Sequence, residues 1–446
     1  MKIVIAGAGE VGSHLAKMLG DEYHDIIVID DDPKRLEDIR NFADIVTING
    51  DSTTFETQQK AEVKKANLFI AVCPDESKNI ISAILAKQLG AKKSIARIDN
   101  DEYLQPNNKE IFINMGIDYL FYPEKVAANE VITLLGNTST TEYVNFSGGK
   151  LVLVVFKLDG NSSLVDRSLY DFAENRDKLN YRTVAISRNG ETIIPQGSDI
   201  FKEDDTIYVI ADHNYVNEVM SFSGQDSVDV RNMMILGGSK IGQRVAMALQ
   251  DKVNIKLVDY NAEKARRLSD VLLNTLVINE DGRNTEVMIE EELGTMDAFV
   301  AVTGRSETNI LAAMLAKKMG VKKVIAEIEN LNYINLAESM GVDTIVNKKL
   351  TTASSIFRFT MNTDVQAIKC LNGCDAEVLE FIAKPDSIIT KGMIKDIKFP
   401  SNAIIGGIVR GDKVFIATGS TEVKAYDRVV VFSLPGAISK IGWFFD

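Results

Sequence analysis

The first 135 residues alternate short apolar runs with segments of mixed polarity. Residues 3–5 predict a short buried strand, residues 13–19 predict a helix, and residues 26–29 predict a second buried strand. Because strands and helices continue to alternate, the pattern predicts a parallel sheet with right-handed crossovers. Further strands are predicted at 45–48, 68–73, 93–98 and 119–122, and further helices at 33–42, 79–90 and 124–135.

The pattern changes after residues 136–141, a polar stretch that we interpret as a linker. Residues 142–221 hold short apolar runs separated by turn dipeptides such as Asp-Gly and Asn-Gly, which favour hairpins. This segment predicts a small α+β module of ordinary domain size. Its strands are predicted at 151–158, 182–187 and 206–211, and a second linker is predicted at 221–230.

The whole pattern then repeats. Gly7 and Gly12 recur 230 residues later as Gly237 and Gly242, and the later strands, helices and module recur in the same order. The sequence therefore predicts an α/β fold with two tandem Rossmann-like doubly wound parallel sheets, each followed by a small α+β module. The predicted sheet domains are 1–140 (in copy one) and 226–363 (in copy two), and the predicted modules are 141–225 and 364–446.

Composition narrows the class of protein. The chain has 446 residues and a net charge of −13, which argues against nucleic acid as a partner. No apolar run approaches the roughly 18 residues that a membrane helix needs, and the start of the chain has no signal-peptide pattern. Three cysteines are compatible with a reducing cytoplasm rather than with a disulfide framework.

A glycine motif at the start of the chain carries the candidate chemistry. Gly7, Gly9 and Gly12 have the G-x-G-x-x-G spacing between a predicted strand and helix, and Asp30 ends the next strand. Gly7 permits a tight turn, Gly9 lets a diphosphate approach the backbone, and Gly12 lets the helix pack closely. The helix start attracts phosphates, and Asp30 can accept hydrogen bonds from ribose hydroxyls. This order of features predicts nucleotide binding.

The two copies differ in the residues that would face phosphates. Gly9, Gly50 and Arg97 of copy one correspond to Ser239, Glu280 and Glu327 of copy two. A serine side chain would crowd the diphosphate, and Glu327 would repel phosphate where Arg97 would attract it. We therefore predict that copy one binds a phosphorylated nucleotide and that copy two, a degraded site, binds weakly, binds a smaller ligand or binds nothing. The alternative is that Arg97 is only a solvated surface charge.

The sequence resembles the TrkA family of regulatory proteins of Trk potassium uptake, whose parts are called RCK or KTN domains with C-terminal companions. The resemblance rests on the tandem order of parts and on Gly-Ala-Gly-Glu-Val-Gly, Asn-Gly-Asp and Asp-Glu-Ser-x-Asn in copy one. It implies a cytoplasmic regulatory subunit, peripheral on the inner face of the membrane and attached to a TrkH-type potassium-translocating subunit. It also implies a homodimer that gives a ring of Rossmann domains, and binding of NAD(H) and ATP or ADP.

The resemblance also implies roles for individual residues. In copy one it assigns Gly7, Ala8, Gly9, Glu10 and Val11 to the phosphate turn, Asp30 to the ribose, Asp51 to the adenosine, Cys73 and Asn79 to the edge of the site, and Arg97 to terminal phosphates. In copy two the corresponding candidates are Gly237, Ser239, Asp259 and Asp281, of which the two aspartates could still hold an adenosine.

An NAD-dependent oxidoreductase is the alternative function, since Asp30 is compatible with NAD. Against this, the modules offer almost no histidine to act as an acid or base near neutral pH. We predict no catalytic and no metal site. His14 is interpreted as structural, and Cys370 with Cys374 as ordinary packing. The apolar tail at residues 441–445 could dock on its own module or on a partner.

Overall fold

The computed structural model describes residues 1–21, 24–40, 45–170, 180–224, 228–357, 359–360, 365–371, 376–434 and 436–446. The chain divides into two compact units. The first unit consists of Met1–Glu124 together with Lys349–Asn362. The second unit consists of Lys125–Lys348 together with Thr363–Asp446.

The first unit is built on a parallel sheet of six strands in the order β3-β2-β1-β4-β5-β6. This is the strand order of a doubly wound nucleotide-binding domain, with the switch point between β1 and β4. The strands are β1 (Lys2–Ala6), β2 (Asp25–Asp30), β3 (Ile45–Asn49), β4 (Leu68–Ala71), β5 (Lys93–Arg97) and β6 (Tyr119–Phe121). The first five helices are α1 (Glu10–Asp21), α2 (Pro33–Arg40), α3 (Phe55–Lys60), α4 (Glu76–Leu89) and α5 (Pro106–Asn114).

The helices of this unit have local signals at their ends. The side chain of Asp75 accepts hydrogen bonds from the backbone N–H groups of Ser77 and Lys78, which satisfies donors at the start of α4. Gly90 ends α4 in the left-handed conformation, at φ 115°. The apolar faces of the sheet and helices, including Val4, Phe69 and Ala96, form one buried core.

The second unit contains the second parallel sheet, in the corresponding order β14-β13-β12-β15-β16-β17. Its strands are β12 (Asn232–Leu236), β13 (Asn254–Val258), β14 (Thr275–Ile278), β15 (Ala298–Ala301), β16 (Lys323–Glu327) and β17 (Thr344–Val346). The helices around it include α6 (Pro123–Leu135), α8 (Lys240–Leu249), α9 (Ala262–Val271), α10 (Thr285–Glu290), α11 (Ser306–Lys318) and α12 (Ile334–Ser339).

Two antiparallel sheets complete the second unit, in the orders β10-β9-β11-β8-β7 and β18-β19-β22-β20-β21. The first module consists of β7 (Glu142–Phe146), β8 (Leu151–Lys157), β9 (Tyr181–Arg188), β10 (Glu191–Ile193), β11 (Thr206–Asp212) and α7 (Val216–Ser221). The second module consists of β18 (Val365–Cys370), β19 (Glu377–Ile382), β20 (Ala403–Arg410), β21 (Lys413–Ile416), β22 (Arg428–Ser433) and α14 (Ile438–Phe445). Both sheets contribute to one buried cluster, in which the rings of Tyr208 and Phe432 lie 5.9 Å apart.

The predicted fold class is confirmed: two parallel sheets alternate with two small α+β modules. The nine strands with predicted bounds are found within two residues of those bounds. The elements that were not predicted in this half of the chain are β7, β10, α3, α5 and α7. Residues 136–141 connect α6 to β7, as predicted for a linker. Part of this connection is packed, because Ser139 and Thr140 are buried and the Thr140 carbonyl accepts a hydrogen bond from the Lys323 ammonium at 2.6 Å. Residues 225–227 of the second predicted linker lie outside the described residues.

Two helices belong to a different unit from the parallel sheet that they follow in the chain: α6 follows the first sheet and α13 follows the second. The buried residues of α6, among them Ala127, Val131 and Leu134, belong to the core of the second parallel sheet. Helix α13 (Lys348–Phe357) follows the second sheet in the chain, yet from Lys349 onward it belongs to the first unit. There the ring of Phe359, just after α13, lies 5.0 Å from the ring of Tyr119 in β6.

The apolar tail docks on its own module. The rings of Phe381 and Phe445 stack with centroids 4.5 Å apart, and Phe445 is fully buried. Trp443, by contrast, is 73% exposed. Cys370 is buried and forms no disulfide, and Cys374 lies outside the described residues.

Candidate functional site

The turn between β1 and α1 shows why its glycines are needed. Gly7 has φ 109°, and a Cβ atom there would lie 2.9 Å from the backbone nitrogen of Cys73. A Cβ atom at Gly12 would lie 1.8 Å from the carbonyl oxygen of Gly7. A Cβ atom at Gly9 would have no atom within 4 Å, so the space beside this backbone is open. The turn is therefore closed on the protein side and accessible on the ligand side.

Asp30 holds this turn from the end of β2. Its carboxylate accepts hydrogen bonds from the backbone N–H of Ala8 at 2.6 Å and from that of Asp32 at 2.9 Å. Only 7% of Asp30 is exposed. The carboxylate thus fixes the shape of the turn, and its exposed edge is the part that remains available to a ligand.

In copy two, Asp259 holds the corresponding glycine turn. Its carboxylate accepts from the backbone N–H of Gly238 at 2.8 Å and from Lys264 at 2.7 Å. Although burial of Asp259 favours its neutral form, hydrogen bonds from Lys264, Asn261 and Gly238 hold the pKa of this carboxyl below its usual value. Asp259 is therefore ionised at neutral pH and already paired with a cation.

Asn79 joins two strand ends beside the turn. Its side-chain oxygen accepts from the backbone N–H of Cys73 at 2.7 Å, and its amide donates to the carbonyl oxygens of Cys73 and Arg97. Asn309 makes the corresponding contacts in copy two, with Thr303 and Glu327. These buried amides tie the strand ends together, and the place of Asn79 at the edge of the ligand site stays a prediction.

The cavity of copy one has a volume of about 250 Å³ and lies between the ends of β2 and β4. Asp30 and Cys73 line this cavity, as predicted. Burial raises the pKa of the Cys73 thiol to about 11, so the thiol is protonated at neutral pH. Lys78 also lines the cavity and was missed; it contacts Asp31 at 2.6 Å and Asp51 at 3.4 Å.

Asp51 lies beside this cavity rather than among its lining residues. Its carboxylate accepts from the backbone N–H of Thr53 at 2.9 Å. That hydrogen bond, followed by Lys78, holds the pKa of Asp51 below its usual value although partial burial opposes this. Lys78 thus joins the two acids Asp31 and Asp51 at the mouth of the site. Lys78 is the third residue of α4, and nothing in the sequence pattern indicated this contact.

The cavity of copy two is larger, at about 460 Å³. All four copy-two candidates line it: Gly237, Ser239, Asp259 and Asp281. The side chain of Ser239 accepts from the backbone N–H of Gly242 at 3.3 Å and caps α8, so the serine does not fill the cavity. Three cations that were not predicted also line it: Lys264, Arg283 and Arg305.

The charges at the ends of β5 and β16 are both neutralised by neighbours. Arg97 contacts Glu124 at 3.0 Å, and its side chain is only 21% exposed, which excludes the alternative of a solvated surface charge. In copy two Glu327 contacts Lys348 at 3.0 Å. Arg97 and Glu327 lie at the strand ends and are not among the residues that line the two cavities.

These features define a class of protein. Each parallel sheet has a glycine turn at the switch point and an acid at the end of the second strand, which is the arrangement of dinucleotide-binding α/β domains. Among the described residues, no helix is both long and apolar enough to cross a membrane.

Comparisons with known proteins identify the family. The TrkA-N domain model matches residues 3–123 and 233–348, and the TrkA-C domain model matches residues 153–224 and 378–444. The chain is 33% identical over 97% of its length to the Trk system potassium uptake protein TrkA of Vibrio alginolyticus, covering 95% of that protein. It is 32% identical over 99% of its length to the TrkA homolog of Archaeoglobus fulgidus, covering 99% of that protein. The chain therefore belongs to the TrkA family.

Solved structures share the fold. The GsuK RCK domain has a TM-score of 0.62 at 15% identity, with 97% of this chain and 92% of that chain covered. The GsuK channel bound to NAD has a TM-score of 0.61 at 14% identity, with 100% of this chain and 78% of that chain covered. At this identity the likeness concerns the fold alone.

Proposed function

We propose that the chain is the nucleotide-sensing regulatory subunit of a Trk-type potassium uptake system. Its ligands are adenine nucleotides, either NAD(H) or ATP and ADP, bound at the β1–α1 turn of copy one. The open backbone at Gly9, beside a turn fixed by the buried Asp30, is the observation that carries the proposal. Relatives with the same parts are named as Trk potassium uptake proteins, and a structural neighbour is named as bound to NAD.

In this proposal the position of the ligand is taken from the general arrangement of dinucleotide-binding α/β domains. The diphosphate lies against Gly9 and the first turn of α1, where N–H groups and the helix dipole favour anions. The ribose lies at the exposed edge of Asp30. The adenosine extends into the cavity lined by Cys73 and Lys78. Arg97 retains its predicted role toward terminal phosphates, which requires exchange of its contact with Glu124.

Copy two is proposed as a second, different site. The prediction that it binds weakly rested on Ser239, Glu280 and Glu327, but Ser239 leaves the cavity open and Glu327 is paired with Lys348. Lys264 and Arg283 are already engaged with Asp259 and Asp281. A ligand would exchange these ion pairs for its own contacts, as it would in copy one. Weaker binding at copy two is still the proposal, on the ground that Glu280 stands where copy one has Gly50.

The proposed partner and location are those that resemblance to the family implies. We propose that a TrkH-type potassium-translocating membrane subunit binds the chain at the cytoplasmic face, and that homodimers assemble the nucleotide domains into a ring. Potassium flux in vesicles that contain the membrane subunit should depend on this chain and on the added nucleotide. Flux that is identical with and without the chain would contradict the proposal.

A matched pair of substitutions tests the assignment of the site. Gly9→Asp places a carboxylate where the diphosphate would lie, and the open space at Gly9 allows the chain to fold. Ser239→Asp makes the corresponding change in copy two and keeps a residue that can cap α8. Calorimetric titration of the full chain with ADP, ATP and NADH should lose the tighter binding in Gly9→Asp and retain it in Ser239→Asp. The reverse result would place the main site in copy two.

We also propose that the chain regulates rather than catalyses. Incubation with NAD and a panel of alcohols and hydroxy acids, followed by the absorbance of the reduced cofactor, is expected to show no turnover. Robust turnover that is lost in Gly9→Asp would instead identify an NAD-dependent oxidoreductase.

A further inference from the structure

The start of α13 places a lysine at the phosphate turn of copy one. Lys349 contacts the Glu10 carboxylate with an N–O distance of 3.0 Å. Glu10 is the first residue of α1 and follows Gly9 directly. The ammonium of Lys349 therefore lies beside the helix terminus that receives the diphosphate in the proposed function.

The burial of the two partners is unequal. The Lys349 side chain is only 15% exposed, whereas the Glu10 side chain is 68% exposed. Residues 349–357 of α13 belong to the first unit, and Thr352, Ala353 and Ile356 in this helix are almost fully buried. The lysine is thus held in place by its helix, while the carboxylate that it contacts can move into solvent. Such a pair can exchange an exposed carboxylate for another anion at little cost.

The charge of Lys349 extends along the first turns of α1. His14 lies one turn after Glu10, and burial together with the positive charges of Lys349 and Lys17 lowers the pKa of its imidazole to about 4. The Nε2 atom of His14 is buried and has no hydrogen-bond partner. The imidazole of His14 is therefore neutral at pH 7, and the positive charges beside it at the start of α1 are those of Lys349 and Lys17.

We propose that Lys349 is a phosphate-binding residue of the copy-one site, which releases Glu10 and contacts a phosphate oxygen of the bound nucleotide. This inference rests on the proposed function. It adds to the nucleotide site a residue, Lys349, that lies outside the glycine motif. Because Lys349 is the second residue of α13, the number of phosphates on the ligand would act directly on a helix that lies more than 330 residues away in the sequence. An ammonium on a flexible stem suits this role, since it can follow a phosphate over a short distance.

The first test separates phosphate binding from nucleoside binding. In the full chain, Lys349→Gln should weaken ADP binding about tenfold or more, the range for a charge-assisted hydrogen bond, and should leave adenosine binding unchanged. Lys349→Arg should keep most of the ADP affinity. The matched control is Lys60→Gln, which removes a lysine of the same unit that is paired with Glu56 on the exposed face of α3.

A second variant covers the case in which Lys349→Gln folds poorly. Glu10→Gln removes the competing carboxylate and keeps the backbone N–H groups of the turn, so ADP should bind more tightly while adenosine binds as before. If the lysine substitution weakens ADP and adenosine equally, or if neither variant changes ADP binding, Lys349 has no phosphate contact. If the unaltered chain binds neither ligand, the proposed function itself is wrong.

The His14 imidazole gives a readout confined to copy one. The chain has three histidines, so the ring signals can be assigned with His14→Gln. Without nucleotide, Lys349→Gln should raise the pKa of His14, because a neighbouring positive charge is lost. Saturation with ADP should raise it in the unaltered chain, and adenosine should not. A His14 pKa that is unaffected by Lys349→Gln would show that the contact does not form in solution.

Discussion

At the scale of single residues, the two first glycines of the turn are required for different reasons. Gly7 adopts a backbone conformation that side chains disfavour, and a Cβ atom would collide with the backbone at Cys73. We expect Gly7→Ala to destabilise the chain by about 1–3 kcal/mol, from strain and displacement. Thermal unfolding followed by circular dichroism would measure the loss.

Gly9→Ala is the matched control for this substitution. The open space beside Gly9 predicts a change in stability within about 0.5 kcal/mol. Equal destabilisation by the two alanines would contradict the assignment of Gly7 to structure and Gly9 to the ligand.

The buried histidines predict a pH dependence. Burial, Lys349 and Lys17 lower the pKa of His14 from 6.5 to about 4 in the folded chain. Between these values the unfolded chain binds the proton and the folded chain does not, so stability falls as the pH decreases through this window. His14→Gln should therefore lose less stability than the unaltered chain when the pH is lowered from about 7 to about 5.

His24 provides an independent comparison, because burial and the terminal ammonium also lower its pKa to about 4. His24→Gln should reduce the pH dependence likewise, and the double variant should show the smallest loss. The midpoint of thermal unfolding at each pH is the measurement. A pH dependence that is the same in all four proteins would show that neither ring is kept neutral by the fold.

Residue types in a motif could be assigned from the sequence, but ion-pair partners could not. Asp30 was predicted because its position at the end of β2 follows from the strand and helix pattern. Lys78 and Lys264 were missed because their contacts join different elements, Lys78 with Asp31 and Lys264 with Asp259. Ser239 was assigned as an obstacle, since the sequence does not show which way a serine side chain turns. It caps α8 instead.

At the scale of elements, the apolar periodicity predicted that α6 is a helix. It could not predict which sheet α6 packs against. A pattern of apolar positions gives the face of a helix that is buried, not the sheet that covers it. The sequence repeat predicted that each copy folds from its own segment of the chain. It therefore could not predict that α13 belongs to the first unit.

This grouping gives a test at a distance in sequence. Ile356 in α13 is fully buried. We expect Ile356→Ala to destabilise the first unit by about 2–5 kcal/mol, the usual loss for a large residue in a packed core. Hydrogen exchange followed by mass spectrometry should then show faster exchange in β5 and β6.

Leu311→Ala is the control, because Leu311 is 67% exposed on α11 and the substitution should change stability little. Unaltered exchange in β5 and β6 of the Ile356 variant would mean that α13 does not stabilise the first unit.

At the scale of the whole molecule, the chain passes between the two units at 124/125, 348/349 and 362/363. A ligand can shift a conformational equilibrium only through different affinities for the two states. A hundredfold difference corresponds to about 2.7 kcal/mol, within the usual range for allosteric coupling. The segments that join the units are the covalent connections between them.

Hydrogen exchange on the full chain can follow the path of that coupling. Because α13 belongs to the same compact unit as the β1–α1 turn, ADP should slow exchange in residues 349–357 as well as in residues 7–19. Gly9→Asp should abolish both effects together, since both depend on the same ligand. If ADP protects only the turn, α13 does not respond to the ligand of copy one.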